Sequence, residues 1–240
     1  MKQKTITASL LAALACGTSL ASQAQITKTP EGYVFKRKLS VGMTVGYQME
    51  TQVNLSNMPK GMGNNIPKDA KMTMGYRMKI KEIKGNTASI TTTIDPMLMN
   101  GKKQADGRTV DSTIQLNSGR LGSNDDMARV FLPQKPIKEG EKYTFDVPLK
   151  GMEKPQCQFV GLKNVNGKQA ALILMNYGMK QGGGEQQMSM KITATALVDV
   201  TDGWPLSMTI RGKMDAKGKD KGEDKVQSFN ASFNSTLTRK

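Results

Sequence analysis

Strict alternation of apolar and polar side chains, sustained over runs of about ten residues, constrains this chain more than any other feature. From Ala70 the even positions read Ala70, Met72, Met74, Tyr76, Met78 and Ile80, while the odd ones read Lys71, Thr73, Gly75, Arg77, Lys79 and Lys81. Successive side chains of a strand point to opposite faces, so this pattern makes one apolar face and one wet face. It returns over Met188–Val200, from Trp204 to Ile210, and in the sets Val45, Tyr47, Met49, Val53, Leu55 and Tyr143, Phe145, Val147, Leu149. Only Ala170–Met175 is apolar on both faces, as a central or doubly covered strand would be. The expected fold is all-β: a curved antiparallel sheet, or an open β-barrel, with at most one short helix at Ser123–Val130, where Asp125 and Asp126 would occupy the first turn.

Turn residues separate these runs. Lys84-Gly85-Asn86, Asn100-Gly101, Asn166-Gly167 and Asp202-Gly203 each supply a residue suited to the positive φ of a tight hairpin. Longer stretches rich in Gly, Pro, Lys and Asn, at Asn57–Asp69, Gln181–Gln186 and Ala216–Asp224, read as solvated loops. The chain also echoes itself. Val41-Gly42 precedes one strand as Glu139-Gly140 precedes another, and Lys84-Gly85-Asn86-Thr87-Ala88 parallels Asn166-Gly167-Lys168-Gln169-Ala170. The expected organisation is a leader at 1–24, an N-terminal β half at 25–132 and a C-terminal β half at 133–240, the two halves either separate or one continuous domain.

A turn glycine before a Tyr-containing strand, the Leu132-Pro133 to Gly140 connector, the Val165-Asn166-Gly167-Lys168 hairpin and the segment Val198-Asp199-Val200-Thr201-Asp202-Gly203-Trp204-Pro205-Leu206 together resemble an uncharacterised family of exported all-β proteins common in Bacteroidota. More distantly, the closing hairpin at 188–214 is similar to the lipoprotein-localisation-factor type of fold, a curved half-barrel that holds lipid. The resemblance implies fold and compartment and brings no catalytic residues with it.

Lys2 and Lys4, the uncharged apolar stretch Ile6–Leu20 and the small residues Ser22 and Ala24 read as a secretory signal cleaved before Gln25. The apolar stretch is shorter than the ~20 residues that span a bilayer, and no later run is long enough to cross one. A second reading is an outer-membrane lipoprotein, attached through Cys16 in Leu14-Ala15-Cys16-Gly17. Export to the periplasm or beyond is common to both. Loss of the leader lowers the net charge from +15 to +13, which suits an anionic envelope surface, or reflects lysines on the wet faces of strands. Nucleic acid is not an expected partner: aromatic residues make up 5% of the chain and no recognition module is present.

The chemistry is bounded by what is missing. With no histidine, triads, His-ligated zinc and the commonest general base near neutral pH are all excluded. The acids are dispersed, Gly182-Gly183-Gly184 lacks a phosphate-cradling Lys-Ser/Thr ending, and Lys217 and Lys219 interrupt any calcium loop at Asp215–Asp224. No catalytic residue, cofactor or metal is assigned. Cys157, alone after loss of the leader, reads as a buried inert thiol. Asp111-Ser112-Thr113 has the form of a short O-glycosylation motif.

Methionine, 18 residues in all, is the unusual component. Met49, Met72, Met74, Met78, Met188, Met190, Met208 and Met214 all fall on apolar faces. They suit a plain core, a deformable pocket for an apolar ligand, or thioether ligation of Cu(I) in pairs such as Met72/Met74 and Met97/Met99. The expected function is non-enzymatic envelope binding of an apolar or lipid-like ligand, with Met49, Met72, Met74, Tyr76, Met78, Met188, Met190, Trp204 and Met208 as the binding residues. The alternatives are a structural or protein-interaction module with a fully packed core, and an acid-only hydrolase of envelope polymers.

Overall fold

The computed structural model describes residues 25–56, 68–85, 87–115, 132–144, 153–183, 186–219 and 226–240. The expected helix at Ser123–Val130 and the leader lie outside these residues, as do Phe145, Val147 and Leu149. Among the described residues there are fourteen strands and no helix. They are β1 (Ile26–Thr29), β2 (Gly32–Phe35), β3 (Thr44–Ser56), β4 (Asp69–Lys84), β5 (Thr87–Ile94), β6 (Met97–Met99), β7 (Lys102–Ala105), β8 (Arg108–Gln115), β9 (Lys142–Thr144), β10 (Gln156–Val165), β11 (Lys168–Gly183), β12 (Gln186–Asp199), β13 (Pro205–Lys219) and β14 (Val226–Arg239).

Twelve of them form one curved antiparallel sheet that does not close into a barrel. Its main path runs β7-β6-β4-β3-β14-β13-β12-β11-β10-β9. The sheet forks at β4, whose far edge pairs with β6 through Met72 and Thr73 and with β5 from Tyr76 onward, β5 in turn pairing with β8. The seam between the earlier and later strands is β3 against β14. On its inner side a buried Thr51 hydroxyl meets that of Ser235 at 2.8 Å.

The alternating runs become strands with the expected faces. Along β12, Ile192, Ala194, Ala196 and Val198 are buried while Lys191, Thr193 and Thr195 are exposed. Asn100-Gly101 and Asn166-Gly167 turn with positive φ at both residues, 49° and 78° in one and 50° and 79° in the other, the geometry that matches strand twist in a two-residue hairpin. The loops expected at Gln181–Gln186 and Ala216–Asp224 are shorter than their composition suggests. β11 runs on to Gly183, β12 begins at Gln186 and β13 continues to Lys219, because neighbouring strands on the ladder complete the hydrogen bonds of these polar stretches.

The sequence echo has a counterpart in three dimensions. Gly42 (φ 84°) donates to the Ile80 carbonyl at 2.8 Å, and Ile80 N donates to Met43 O at 3.0 Å. Gly140 (φ 81°) donates to the Phe159 carbonyl at 2.7 Å, and Phe159 N donates to Glu141 O at 3.1 Å. Each docking point is followed by a bulge, between Ile80 and Glu82 in β4 and between Phe159 and Gly161 in β10. The same turn therefore delivers β3 onto β4 and β9 onto β10 in the same register.

The inner face is packed tightly at one end. β1 and β2 form a separate hairpin across it, fastened by Gln25 N and Ile26 N to the Val200 carbonyl and by reciprocal bonds between Tyr33 and Ile137. Phe159, fully buried, takes the rings of Tyr33 and Phe35 edge-on at 5.1 Å each. Ile26, Ile137, Ile173, Val198, Met208 and Leu237 complete this base. The turn between β12 and β13 closes it. Trp204 is buried with its indole N–H on the Lys38 carbonyl at 3.0 Å, and Arg239 pairs with Asp202 at 2.7 Å beside the buried Asp199.

Candidate functional site

Cross-strand register, rather than sequence spacing, decides which apolar side chains meet on the inner face. Ile173, Ala196, Met208, Leu237, Met49 and Met74 form one row across β11, β12, β13, β14, β3 and β4. Toward the other end of the strands lies the row Met179, Met190, Met214, Ala231 and Leu55, and beyond it Met188, Ala216 and Phe229. The first row belongs mostly to the packed base: Ile173, Ala196, Met208 and Leu237 are each at most 4% exposed. All eight residues of the end rows are half-buried and lie outside the packed cluster. One face of one sheet is thus a sealed core at one end and an apolar surface that no other described element covers at the other.

The nine expected binding residues divide along this line. Tyr76, Met78, Trp204 and Met208 are buried in or against the base, at 2–5% exposure, and Tyr76 stacks on Tyr47 at 5.2 Å. Met49 and Met74 are directly opposed across β3 and β4, and Met72 is opposed to Met99 of β6, all four half-buried. Met188 and Met190 stand on the open end rows. The two methionine groups, Met188/Met190 on β12 and Met72/Met74 on β4, are four strand spacings apart, about 19 Å across the sheet. Register adds residues outside the expected nine: Met179, Met214, Leu55, Ala231 and Phe229. Within this region Phe233 lays its ring over Gly212, its partner across β13 and β14, so that the aromatic ring fills the space a side chain would take.

Among the described residues, polar groups packed against the inner face include the structural pairs Thr51 with Ser235 and Arg239 with Asp202. Asp199 and Asp202 shape the β12–β13 turn, accepting from Thr201 N at 2.8 Å and Trp204 N at 2.9 Å, and they face Arg239. Among the described residues no three His, Cys, Asp or Glu side chains converge as a metal site. Cys157 is buried opposite Tyr143, and burial pushes its thiol up to about 12, the Tyr143 hydroxyl opposing that only in part. Such a thiol carries almost no thiolate at neutral pH and is a poor nucleophile.

No known family model matches the chain, and no curated protein matches it. Among solved structures it is similar to a DUF1329 family protein, of a domain family of unknown function, from Desulfovibrio piger ATCC 29098. The identity is 10% over 82% of this chain and 85% of that one, with a TM-score of 0.17, too loose a superposition to say anything of this chain's fold or chemistry.

Proposed function

We propose that this is a non-enzymatic exported envelope protein whose inner sheet face takes an elongated apolar or lipid-like ligand. The observation that carries the reading is the contrast within one face, between a base sealed by β1, β2 and Trp204 and two end rows of apolar side chains left half-buried. Methionine suits such a surface because its unbranched thioether adapts to varied shapes. A ligand touching both methionine groups must reach about 19 Å, which favours an extended chain over a compact molecule. Export rests on the leader at 1–24, and the resemblance to exported Bacteroidota proteins and to the lipoprotein-localisation-factor half-barrel points the same way. The packed interaction module accounts for the base but not for the end rows.

Saturable, stoichiometric enhancement of N-phenyl-1-naphthylamine fluorescence by the folded protein is the expected result, with Met190→Asp abolishing it while the protein stays folded. Native mass spectrometry of protein taken from its own host should show an adduct lost on denaturation. An apo mass together with no probe binding would overturn the reading.

One further arrangement favours soft-metal binding as a second reading. Met179, Met190 and Met214 occupy directly opposed positions on three adjacent strands, so three thioethers share one row. Cu(I) selects such ligands. Stoichiometric Ag(I) binding lost in Met190→Leu, a variant that preserves the apolar surface, would support this reading over the first.

A further inference from the structure

The outer face of the sheet carries a groove of about 530 Å³ that the inner-face reading does not use. Short side chains of β14, Ser232 and Asn234, lie between Gln52 and Asn54 of β3 on one side and three cations on the other. The cations are Lys191 of β12 and Arg211 and Lys213 of β13, all exposed.

Their arrangement sets three like charges side by side on one face. Lys191 and Lys213 are directly opposed across β12 and β13, and Arg211 stands two residues before Lys213 on the same face. Opposed Cβ atoms lie about 5 Å apart, and like charges so placed destabilise a sheet. Some cations elsewhere on the sheet are paired, Lys71 with Glu50, Lys81 with Asp111 and Lys84 with Glu82. Among the described residues none of these three cations has a carboxylate partner within ion-pair distance. Two acids border the group without reaching ion-pair distance, Glu153 over Gly178, which is opposed to Lys191, and Asp215 on the same face two residues beyond Lys213, while Asp69 accepts from Asn54.

We infer that this groove binds a phosphate-class oxyanion, through Lys191, Lys213 and the planar guanidinium of Arg211, with the hydroxyl of Ser232 and the amide of Asn234 as further donors. Opposed cations about 5 Å apart can share the oxygens of one tetrahedral anion, and arginine's fork matches two of them. The inference goes beyond the proposed function and does not depend on the apolar inner face. The phosphate is presented either by a lipid headgroup or by a soluble molecule.

The test uses the folded protein with vesicles of equal parts phosphatidylglycerol and phosphatidylcholine, vesicles of phosphatidylcholine alone, and inorganic pyrophosphate, at low salt and at about 0.1 M salt. The triple variant Lys191→Gln, Arg211→Gln, Lys213→Gln is compared with Lys135→Gln, Lys163→Gln, Lys168→Gln, a control of equal net charge built from exposed lysines elsewhere. At about a fivefold loss for each of the three cations removed near an anionic surface, the groove variant should bind the anionic vesicles about 100-fold more weakly, and the control should bind as wild type does. The groove variant should melt no lower than wild type, since it relieves a repulsion, and Lys213→Gln alone serves if the triple change impairs folding. Selective loss on anionic vesicles without pyrophosphate binding assigns a headgroup; selective loss on pyrophosphate alone assigns a soluble ligand; loss on both assigns the phosphate group itself. Equal weakening in groove variant and control, or no anion binding by wild type at low salt, would overturn the inference. N-phenyl-1-naphthylamine binding, read in parallel, should be the same in wild type and groove variant, so failure of the inner-face reading is seen separately.

Discussion

Met208 and Met190 lie on the same face of one sheet, on adjacent strands, yet their truncation should have very different costs. Met208 is 4% exposed and is opposed by Ala196 and Leu237, so its space cannot be refilled by solvent. Truncation of such a side chain to alanine loses transfer free energy and leaves a cavity, together about 2–5 kcal/mol. Met190 is half-buried between Met179 and Met214. Losing about half of a methionine's burial, with no closed cavity left behind, costs about 1 kcal/mol. In a chain of this size ~1 kcal/mol moves the melting midpoint by about 2–4 °C. Met208→Ala should then lower it by about 5–15 °C and Met190→Ala by about 2–4 °C, an estimate from the same scaling. Urea titration followed by the fluorescence of the single, buried Trp204 gives the free energies, and circular dichroism gives the midpoints. The order should reverse for N-phenyl-1-naphthylamine, with Met190→Ala the weaker binder. Equal stability losses would mean that Met190 is packed as tightly as Met208, and the division of the face into a sealed base and an open end would fail.

Gly212→Ala should destabilise by about 1–3 kcal/mol, because the added methyl runs into the Phe233 ring, and Phe233→Val in the same chain should recover part of the loss in a urea melt. Arg239→Ala should cost about 2 kcal/mol by removing the cation that faces Asp202 and the buried Asp199, and in Asp202→Asn the same change should cost less, which a double-mutant cycle measures. The Cys157 thiol, raised to about 12 by burial, ionises in the unfolded chain before it does so in the folded one. Its contribution is complete below about pH 8.5 and is lost as pH rises toward about 12, so wild type should lose stability faster than Cys157→Ala between about pH 9 and 11. Parallel pH slopes for the two would contradict the burial of the thiol.

The strands most readable in the sequence are those with one dry and one wet face throughout. β4, β12 and β13 could be laid out with their faces assigned because Met, Ile and Ala alternate with Lys, Thr and Arg over most of their length. β14 breaks that rule: Ser235 and Arg239 occupy inner positions, Ser235 meeting Thr51 of β3 and Arg239 pairing with Asp202 of the β12–β13 turn, partners that local reading does not supply. In β10 the bulge between Phe159 and Gly161 shifts the alternation midway. The candidate site was legible only as a set of methionines. Same-strand neighbours stand ~6.6 Å apart, whereas the row of Met179, Met190 and Met214 comes from three strands in a register that only the fold reveals. For the same reason Tyr76, Met78, Trp204 and Met208 share the composition of a binding face but are buried at the base, where the β1–β2 hairpin and the β12–β13 turn close over it.

The seam between β3 and β14 sets a timetable for making the protein. Thr51 and Ser235, which meet there, are 184 residues apart in the chain. At a synthesis rate of roughly 5–20 residues per second, one edge of β3 waits about 10–40 s before its partner exists. During that interval the nascent chain presents an unmated strand edge with Tyr47, Met49, Val53 and Leu55 beside it, a template for pairing with other chains. Pairings this distant also make folding slow, because the intervening chain must be gathered before the contact rewards it. The export proposed above would draw on that delay, since the chain would stay open while handed to a translocation machinery. Pulse-chase proteolysis should then show β3 gaining protection only after the residues of β14 have been added.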